Sequence, residues 1–488
     1  MLNKYNFKSI IPLWCIGIFY ILPILITNNL YYDDIGRSIY GYFSWGIDGR
    51  PLADLFFSII NLGSPATDIA PYPQIASILM MTTLCYFMHK ALNPERKLGW
   101  LLFTPIFLSP FFIQNLAFRF DSLTMTLSIV IASLPLFFMR KSNLKLLTIS
   151  AFSVFASLSL YQASLSVFAA VICLYVLFSI KDSASPYALL RKIVITMLGM
   201  MIGYLGYSNL IIPIFVTSEY ANSYNQIISS ASELKVNIDI TINILHSFFT
   251  GWMAKIFIII FSLSFFGLIA VLLKILRTKK PIAQRITSAI LFIISLVVIL
   301  VCIPGPGIAL KSMPIGPRVF IGFGFAISAS LALISFITDK NKLNAIYGAL
   351  IVISFSYMAT FTNAMKSQDK MTDRIIYGVT NDIIKIGYND VKTITIDGKS
   401  LYTPIADKSI QKFPLMGQMI PSYFDGHLAW GVVRMIEIYS GKDQPTQVTQ
   451  NELISKICEM NLITDAGLYK TYYLDGNLVV SFSFKKCP

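Results

Sequence analysis

Apolar runs of about twenty residues recur along most of the chain, separated by short segments that carry its charge. Such a run is long enough to cross the hydrocarbon core of a bilayer as a helix. The pattern predicts eleven spans, at roughly 10–27, 75–92, 98–116, 122–139, 146–160, 163–180, 193–216, 252–273, 287–303, 319–337 and 344–361. The apolar stretch 146–180 is too long for one helix, and Tyr161-Gln162 interrupts it, so two helices are expected to turn there. The segment 52–62, LADLFFSIINL, is too short to cross and holds Asp54. It reads as a helix lying at the interface or partly re-entering. The first apolar run has no small-x-small cleavage site and reads as a first anchor.

Beyond residue 361 the texture changes. TDRIIYGVTNDIIKIG (372–387) has helical periodicity, with Ile375, Ile376, Val379, Ile383 and Ile384 on one side. VKTITIDG (391–398) alternates as a strand, and YKTYYLDGNLVVSFSF (469–484) reads as a hairpin turning at Asp475-Gly476-Asn477. The fold expected is therefore a polytopic α-helical membrane domain, 1–361, followed by a small α+β domain, 362–488. The first outer loop of the membrane domain covers 28–74.

Composition supports a membrane protein: of 488 residues 55% are hydrophobic and 13% charged, about half the charge of a soluble chain. The formal net charge of +14 does not point to nucleic acid, because the cations sit in alternate short loops. One set holds Lys4 and Lys8; Lys90, Arg96 and Lys97; Arg140, Lys141 and Lys145; Lys181, Arg191 and Lys192; Lys274, Arg277, Lys279, Lys280 and Arg285; and Lys340 and Lys342. The positive-inside rule puts these loops and the N-terminus in the cytoplasm and the C-terminal domain outside.

With that orientation the outer face gathers the candidate chemistry. Asp33-Asp34-x-x-Arg37 follows the first span, and Gly49-Arg50-Pro51 closes the same loop segment. Arg119-Phe120-Asp121 joins the third and fourth spans, Tyr161-Gln162 caps the next pair, and Lys311 and Arg318 precede the tenth. Singly, each has a plain reading. The aspartates could cap a helix, Arg119 and Asp121 could be a structural ion pair, Tyr161 could belong to an aromatic belt, and Lys311 and Arg318 could meet lipid headgroups. Together they form a surface able to hold a phosphorylated lipid and remove a proton beside it. Three isolated histidines and no CxxC or HExxH pattern give no metal site, and no nucleotide loop is present. Cys15, Cys85, Cys173 and Cys302 lie in apolar spans. Cys458 and Cys487 are alone in the outer tail, where an oxidising compartment would pair them.

The order DDxxR, GRP, NLAFRFDSL (115–123), SLYQASL (159–165) and GPR resembles the serotype-converting, phage-borne O-antigen glucosyltransferases over most of residues 10–340. The tail matches only in kind, as a periplasmic C-terminal domain. The resemblance implies a GT-C-like fold in the bacterial inner membrane. It implies glucose taken from a polyprenyl phosphate and added to the lipid-linked O-antigen of lipopolysaccharide, with no cofactor. A flippase and a synthase of the lipid-linked glucose are the implied partners. Asp33 or Asp34 is then the expected general base. Arg37, Arg50, Arg119, Asp121, Tyr161, Gln162, Lys311 and Arg318 are expected to bind substrate, with Arg119 also paired to Asp121. An O-antigen polymerase or ligase and a lipid-linked sugar transporter are the alternatives. The adjacent acids favour a transferase, and the absence of a repeat or a charged midplane path disfavours a transporter.

Overall fold

The computed structural model describes residues 9–93, 98–217, 226–314, 316–426, 430–436, 446–448 and 450–483. All eleven apolar stretches contain helix. Among the described residues, seven helices are long and apolar enough to cross a membrane. The number is eight if Gly99–Leu108 and Pro110–Ala117, bent by 58° at their junction, form one broken span. The helices Ile11–Thr27, Ser122–Phe138 and Gly322–Ser335 are apolar but shorter, so length and composition do not establish eleven crossings. The bend has a local cause. Pro110 drives the preceding Ser109 out of the helical region, to ψ 131, and the Ser109 hydroxyl then caps the next helix by accepting from the Phe111 N–H at 3.3 Å.

The contacts divide the chain into two compact units. The first comprises residues up to Ile26 and Phe43–Met358. It is a helical bundle in which small residues let backbones approach closely. Pro186–Gly206 packs on Asn143–Leu160 through Gly199 and Gly203. A methyl group at Gly203 would lie 2.4 Å from the Ala151 carbonyl oxygen, and one at Gly199 would lie 2.8 Å from that of Leu147. This is the small-xxx-small solution to helix packing in lipid, where apolar burial no longer drives association. The break expected at Tyr161 is present: one helix ends at Leu160, Tyr161 is extended, and a single turn of 3-10 helix leads into Leu165–Lys181. The apolar segment too short to cross forms the helix Pro51–Ile60. Between two of the apolar helices lies a further helix, Ala231–Phe248, capped by the Ser230 hydroxyl on the Glu233 N–H.

The second unit comprises Thr27–Tyr42 and Ala359–Pro488. The first outer loop is thus shared out: its opening residues, with the acid pair, belong to the C-terminal unit. A continuous helix, Lys340–Ile386, carries the last apolar stretch straight into that unit. The segment 372–387 is accordingly the end of the last apolar helix rather than a separate element. Among the described residues five strands follow: β1 (Thr393–Asp397), β2 (Thr446–Gln447), β3 (Asn461–Asp465), β4 (Lys470–Leu474) and β5 (Asn477–Ser481). Their order is β2-β1-β5-β4-β3, with β1 parallel to both neighbours and the β4–β5 hairpin antiparallel. The hairpin turns at Asp475 and Gly476, both at positive φ, where the expected turn residues stand. Ile375, Ile376, Val379 and Ile383 pack against Ile394, Ile396, Leu478 and Val480. Ile384 is 62% exposed. Nine residues beyond Ile375, it has turned about 180° around the helix.

Asp382 ties this helix to the sheet. It is 1% exposed and accepts hydrogen bonds from the Thr464 and Thr471 hydroxyls, both at 2.7 Å. Cys458 is disulfide-bonded, whereas Cys15, Cys85, Cys173 and Cys302 are free thiols; Cys487 lies outside the described residues. Asp382→Leu strands the buried Thr471 hydroxyl and takes a partner from the half-buried Thr464, and should cost the tail about 1–3 kcal/mol, the penalty for one buried unsatisfied group. The expected outcome is earlier protease cleavage of the tail on heating, and an unchanged cleavage temperature would refute it.

Candidate active site

The first unit gathers its polar side chains where several helices end. The segment Phe43–Pro51 folds back on itself there. Asp54, in the first turn of Pro51–Ile60, accepts from the backbone N–H groups of Trp45 (2.9 Å) and Gly46 (2.5 Å) and so closes the turn. This buries the Trp45 ring among Ala53, Phe57, Ala66, Phe120 and Leu160. The Trp45 indole N–H then donates to Asp121 Oδ1 at 2.6 Å. Asp121 is 4% exposed and begins the helix Ser122–Ala132.

Arg50 follows at the end of the same fold-back. Its Nε donates to Gln162 Oε1 at 2.8 Å, and its guanidinium lies 5.1 Å from the centre of the Tyr161 ring. Gln162 donates onward through Nε2 to the Asp48 carbonyl (2.8 Å) and to the Tyr207 hydroxyl (3.1 Å), and that hydroxyl donates to the Gly49 carbonyl at 3.1 Å. Gly49 makes this possible. Its φ is +79, and a Cβ there would lie 2.6 Å from the Tyr207 oxygen.

A second group approaches from the other side. The backbone N–H of Arg318 donates to Gln114 Oε1 at 2.8 Å, and its guanidinium stacks 4.7 Å from the centre of Phe118. The charges of Arg318, Arg50 and Asp121 all act on the buried Tyr161 hydroxyl, as does the Asn115 amide. The structure therefore brings Arg50, Asp121, Tyr161, Gln162 and Arg318 into one neighbourhood. Arg119 forms an ion pair, but with Asp68, which sequence reading did not single out. Arg119 and Asp121 thus each have a partner from a distant segment, Asp68 and the Trp45 indole. Lys311 stands apart. Its side chain is exposed, its backbone N–H donates to the Gln226 carbonyl at 2.7 Å, and its charge acts on the exposed Glu233. Among the described residues no cluster could hold a metal ion.

In the second unit the acid pair starts the helix Asp33–Tyr40. Asp34 is fully buried and accepts from the Tyr31 N–H at 3.2 Å, whereas Asp33 is half-buried. Arg37 is 6% exposed, with its guanidinium 5.8 Å from the centre of the Tyr42 ring.

Membrane-length helices with buried arginines and carboxylates gathered at their ends define a polytopic membrane protein with a polar site. The family Glucosyl transferase GtrII matches residues 22–329, and the chain belongs to it. The protein is thus a glycosyltransferase, as the motif resemblance implied. A relative from Salmonella phage P22, named as an uncharacterized 55.3 kDa protein in the gtrB 5′ region, is 31% identical over 427 residues. That alignment covers 86% of this chain and 88% of the relative. No solved structure matches. Every site candidate from Asp33 to Arg318 lies inside the family match, and the tail lies beyond it.

Two substitutions test the geometry. Trp45→Phe keeps the aromatic body and removes one donor from a buried carboxylate, a loss of about 1.5–3 kcal/mol for a charged hydrogen bond; the thermal midpoint of purified protein should fall. Gly49→Ala meets both the strained φ and the Tyr207 oxygen. Transfer activity should drop at least ~10-fold through displacement of Arg50, measured as hexose incorporation at equal protein level. Wild-type rates would show that the fold-back does not position Arg50.

Proposed function

We propose that the protein moves glucose from a polyprenyl-phosphate donor to the O-antigen repeat of lipopolysaccharide, on the periplasmic face of the inner membrane. The observation that carries this reading is the cluster of Arg50, Arg318, Tyr161, Gln162 and Asp121 at the helix ends, in a chain of the glucosyl transferase family. Guanidiniums held by hydrogen bonds and stacked on rings suit an anionic phosphate in a low-dielectric setting. The loop charges support an N-terminus inside and a tail outside.

The reaction is a single displacement. An acceptor hydroxyl oxygen attacks the anomeric carbon of the donor, and the bond from that carbon to the phosphate oxygen breaks. The electron pair leaves with polyprenyl phosphate, and the acceptor proton passes to a carboxylate of the acid pair. Asp34 is the first choice, because it is shielded from water and its carboxylate is oriented by a backbone N–H; Asp33 is the second. Arg50 and Arg318 stabilise the charge that develops on the leaving phosphate, with Arg119 supporting them from its pair with Asp68. Arg37 holds the base segment, Tyr161 and Gln162 set the Arg50 guanidinium, and Lys311 contributes as a peripheral cation. A single displacement inverts the anomeric centre. Lipid-linked glucose implies a synthase that makes it and a flippase that delivers it.

The test is expression with a lipid-glucose pathway in an O-antigen-producing cell. The mass of the O-antigen repeat should rise by one hexose. Asp33→Asn and Asp34→Asn keep shape and remove the base. One of them should reduce transfer by ~100-fold or more, and normal rates in both would sink the mechanism. A reporter active only in the periplasm should work when fused after Pro488 and stay silent at 140–145; the reverse would overturn the orientation.

A further inference from the structure

We infer that Tyr423 and Arg434, in the C-terminal tail, are positioning residues for the acid pair, resting on the reading of that pair as the general base. The starting observation is Tyr32, immediately before Asp33, with φ 46 and ψ −107. A bulky residue at positive φ costs on the order of 1–3 kcal/mol and persists only where its surroundings over-determine it. Here it sets the direction in which the helix Asp33–Tyr40 leaves the chain.

The tail supplies the over-determination. The Tyr31 hydroxyl donates to the Met419 carbonyl at 2.6 Å, and the Tyr423 hydroxyl donates to the Leu30 carbonyl at 3.0 Å. Between these bonds the Tyr32 ring meets Tyr423 edge-on, with centroids 5.9 Å apart, and Tyr31 at 4.8 Å. Tyr31 in turn exchanges hydrogen bonds with Asp34: its N–H donates to Oδ2, and its carbonyl accepts the Asp34 N–H at 3.1 Å.

Tyr423 is itself held. It is 2% exposed, and the Arg434 guanidinium sits 5.3 Å from its ring centre. Arg434 donates to Asp369 and, at 2.7 Å, to Asp373, one turn apart on the helix Lys340–Ile386. Burial works against the Arg434 charge, and the Asp369 carboxylate more than restores it, so this side chain remains a cation. Burial likewise pushes the Tyr423 hydroxyl above its usual range and keeps it a donor. A path of direct contacts thus runs from Asp369 and Asp373 through Arg434 and Tyr423 to residues 30–32 and the aspartates. With the Asp373 carboxylate half in solvent, this ion triad adds little net stability. Its effect here is to fix one tyrosine, and through it the segment from which the acids project.

The test is a double-mutant cycle on the full-length protein in membranes, at saturating polyprenyl-phosphate-glucose, with rates normalised to protein level. Tyr423→Phe removes one hydroxyl and keeps the ring; Arg434→Gln removes the cation. Each should lower the rate ~10-fold or more, as expected for misplacement of a catalytic group. In the background of whichever Asn variant of Asp33 or Asp34 is slow, the same changes should cost less than ~2-fold, because there is no base left to position. Losses that multiply fully in that background would overturn the inference, as would a wild-type rate for Tyr423→Phe. Failure of Tyr423→Phe to accumulate would also overturn it, by making the residue structural. If neither Asn variant is slow, the base reading itself fails, an outcome distinct from these.

Discussion

Asp121 is a carboxylate with almost no access to water, and the Trp45 indole is what meets it. An ion taken out of water costs several kcal/mol unless hydrogen bonds replace its hydration. The indole can donate only if residues 43–51 fold back, and that fold-back needs the Asp54 carboxylate to gather two backbone N–H groups. It also needs the Trp45 ring to be buried, which Phe57, Phe120 and Leu160 provide. The Trp45–Asp121 hydrogen bond therefore helps fix the path of residues 43–51. That path sets Gly49 against Tyr207 and delivers Arg50 to Gln162.

The cations follow the same logic. Arg50 and Arg318 each lie on an aromatic ring, Tyr161 and Phe118, and each is located by a glutamine, Gln162 or Gln114. A stacked guanidinium keeps its planar fork of donors directed while its body rests on apolar surface. Arg119 is paired with Asp68, and under the proposed function the donor phosphate would meet the stacked pair. For a reaction whose leaving group gains charge, donors fixed before reaction contribute more than mobile lysines, which must be ordered at each turnover.

What the sequence made legible is what depends on local pattern. The turn at Tyr161-Gln162, the apolar helix near 52–62, the strand at 391–398 and the hairpin at Asp475-Gly476-Asn477 all follow from periodicity and turn chemistry. The partners in the site do not. Trp45 and Asp121 are 76 positions apart and Arg119 and Asp68 are 51 apart, so nothing local marks them. Arg119 and Asp121 are near neighbours in sequence, but the partners they reach across the fold, Asp68 and the Trp45 indole, lie far off along the chain. Tyr207 was hidden for a different reason: it lies within a 30-residue apolar helix, Pro186–Phe215, and looks like one more lipid-facing aromatic. The glycine at position 49, which has no Cβ to meet the Tyr207 oxygen, was the one available hint of its role.

The helix Lys340–Ile386 shows why a composition boundary need not be a structural one. Its apolar part ends near residue 361, and polar residues begin at once, which reads as the start of a new domain. Nothing in the backbone marks that point: no proline or glycine stands between 349 and 377, and the helix runs on without interruption. What changes is the environment of its side chains. Past the apolar part, Asp369 and Asp373 engage Arg434, and Asp382 receives two threonine hydroxyls from the sheet. Carboxylates that would be prohibitive in lipid become the anchors of an α+β unit once partners surround them. The acids that order the tail are thus carried on the polar end of that helix, and through Arg434 they hold Tyr423.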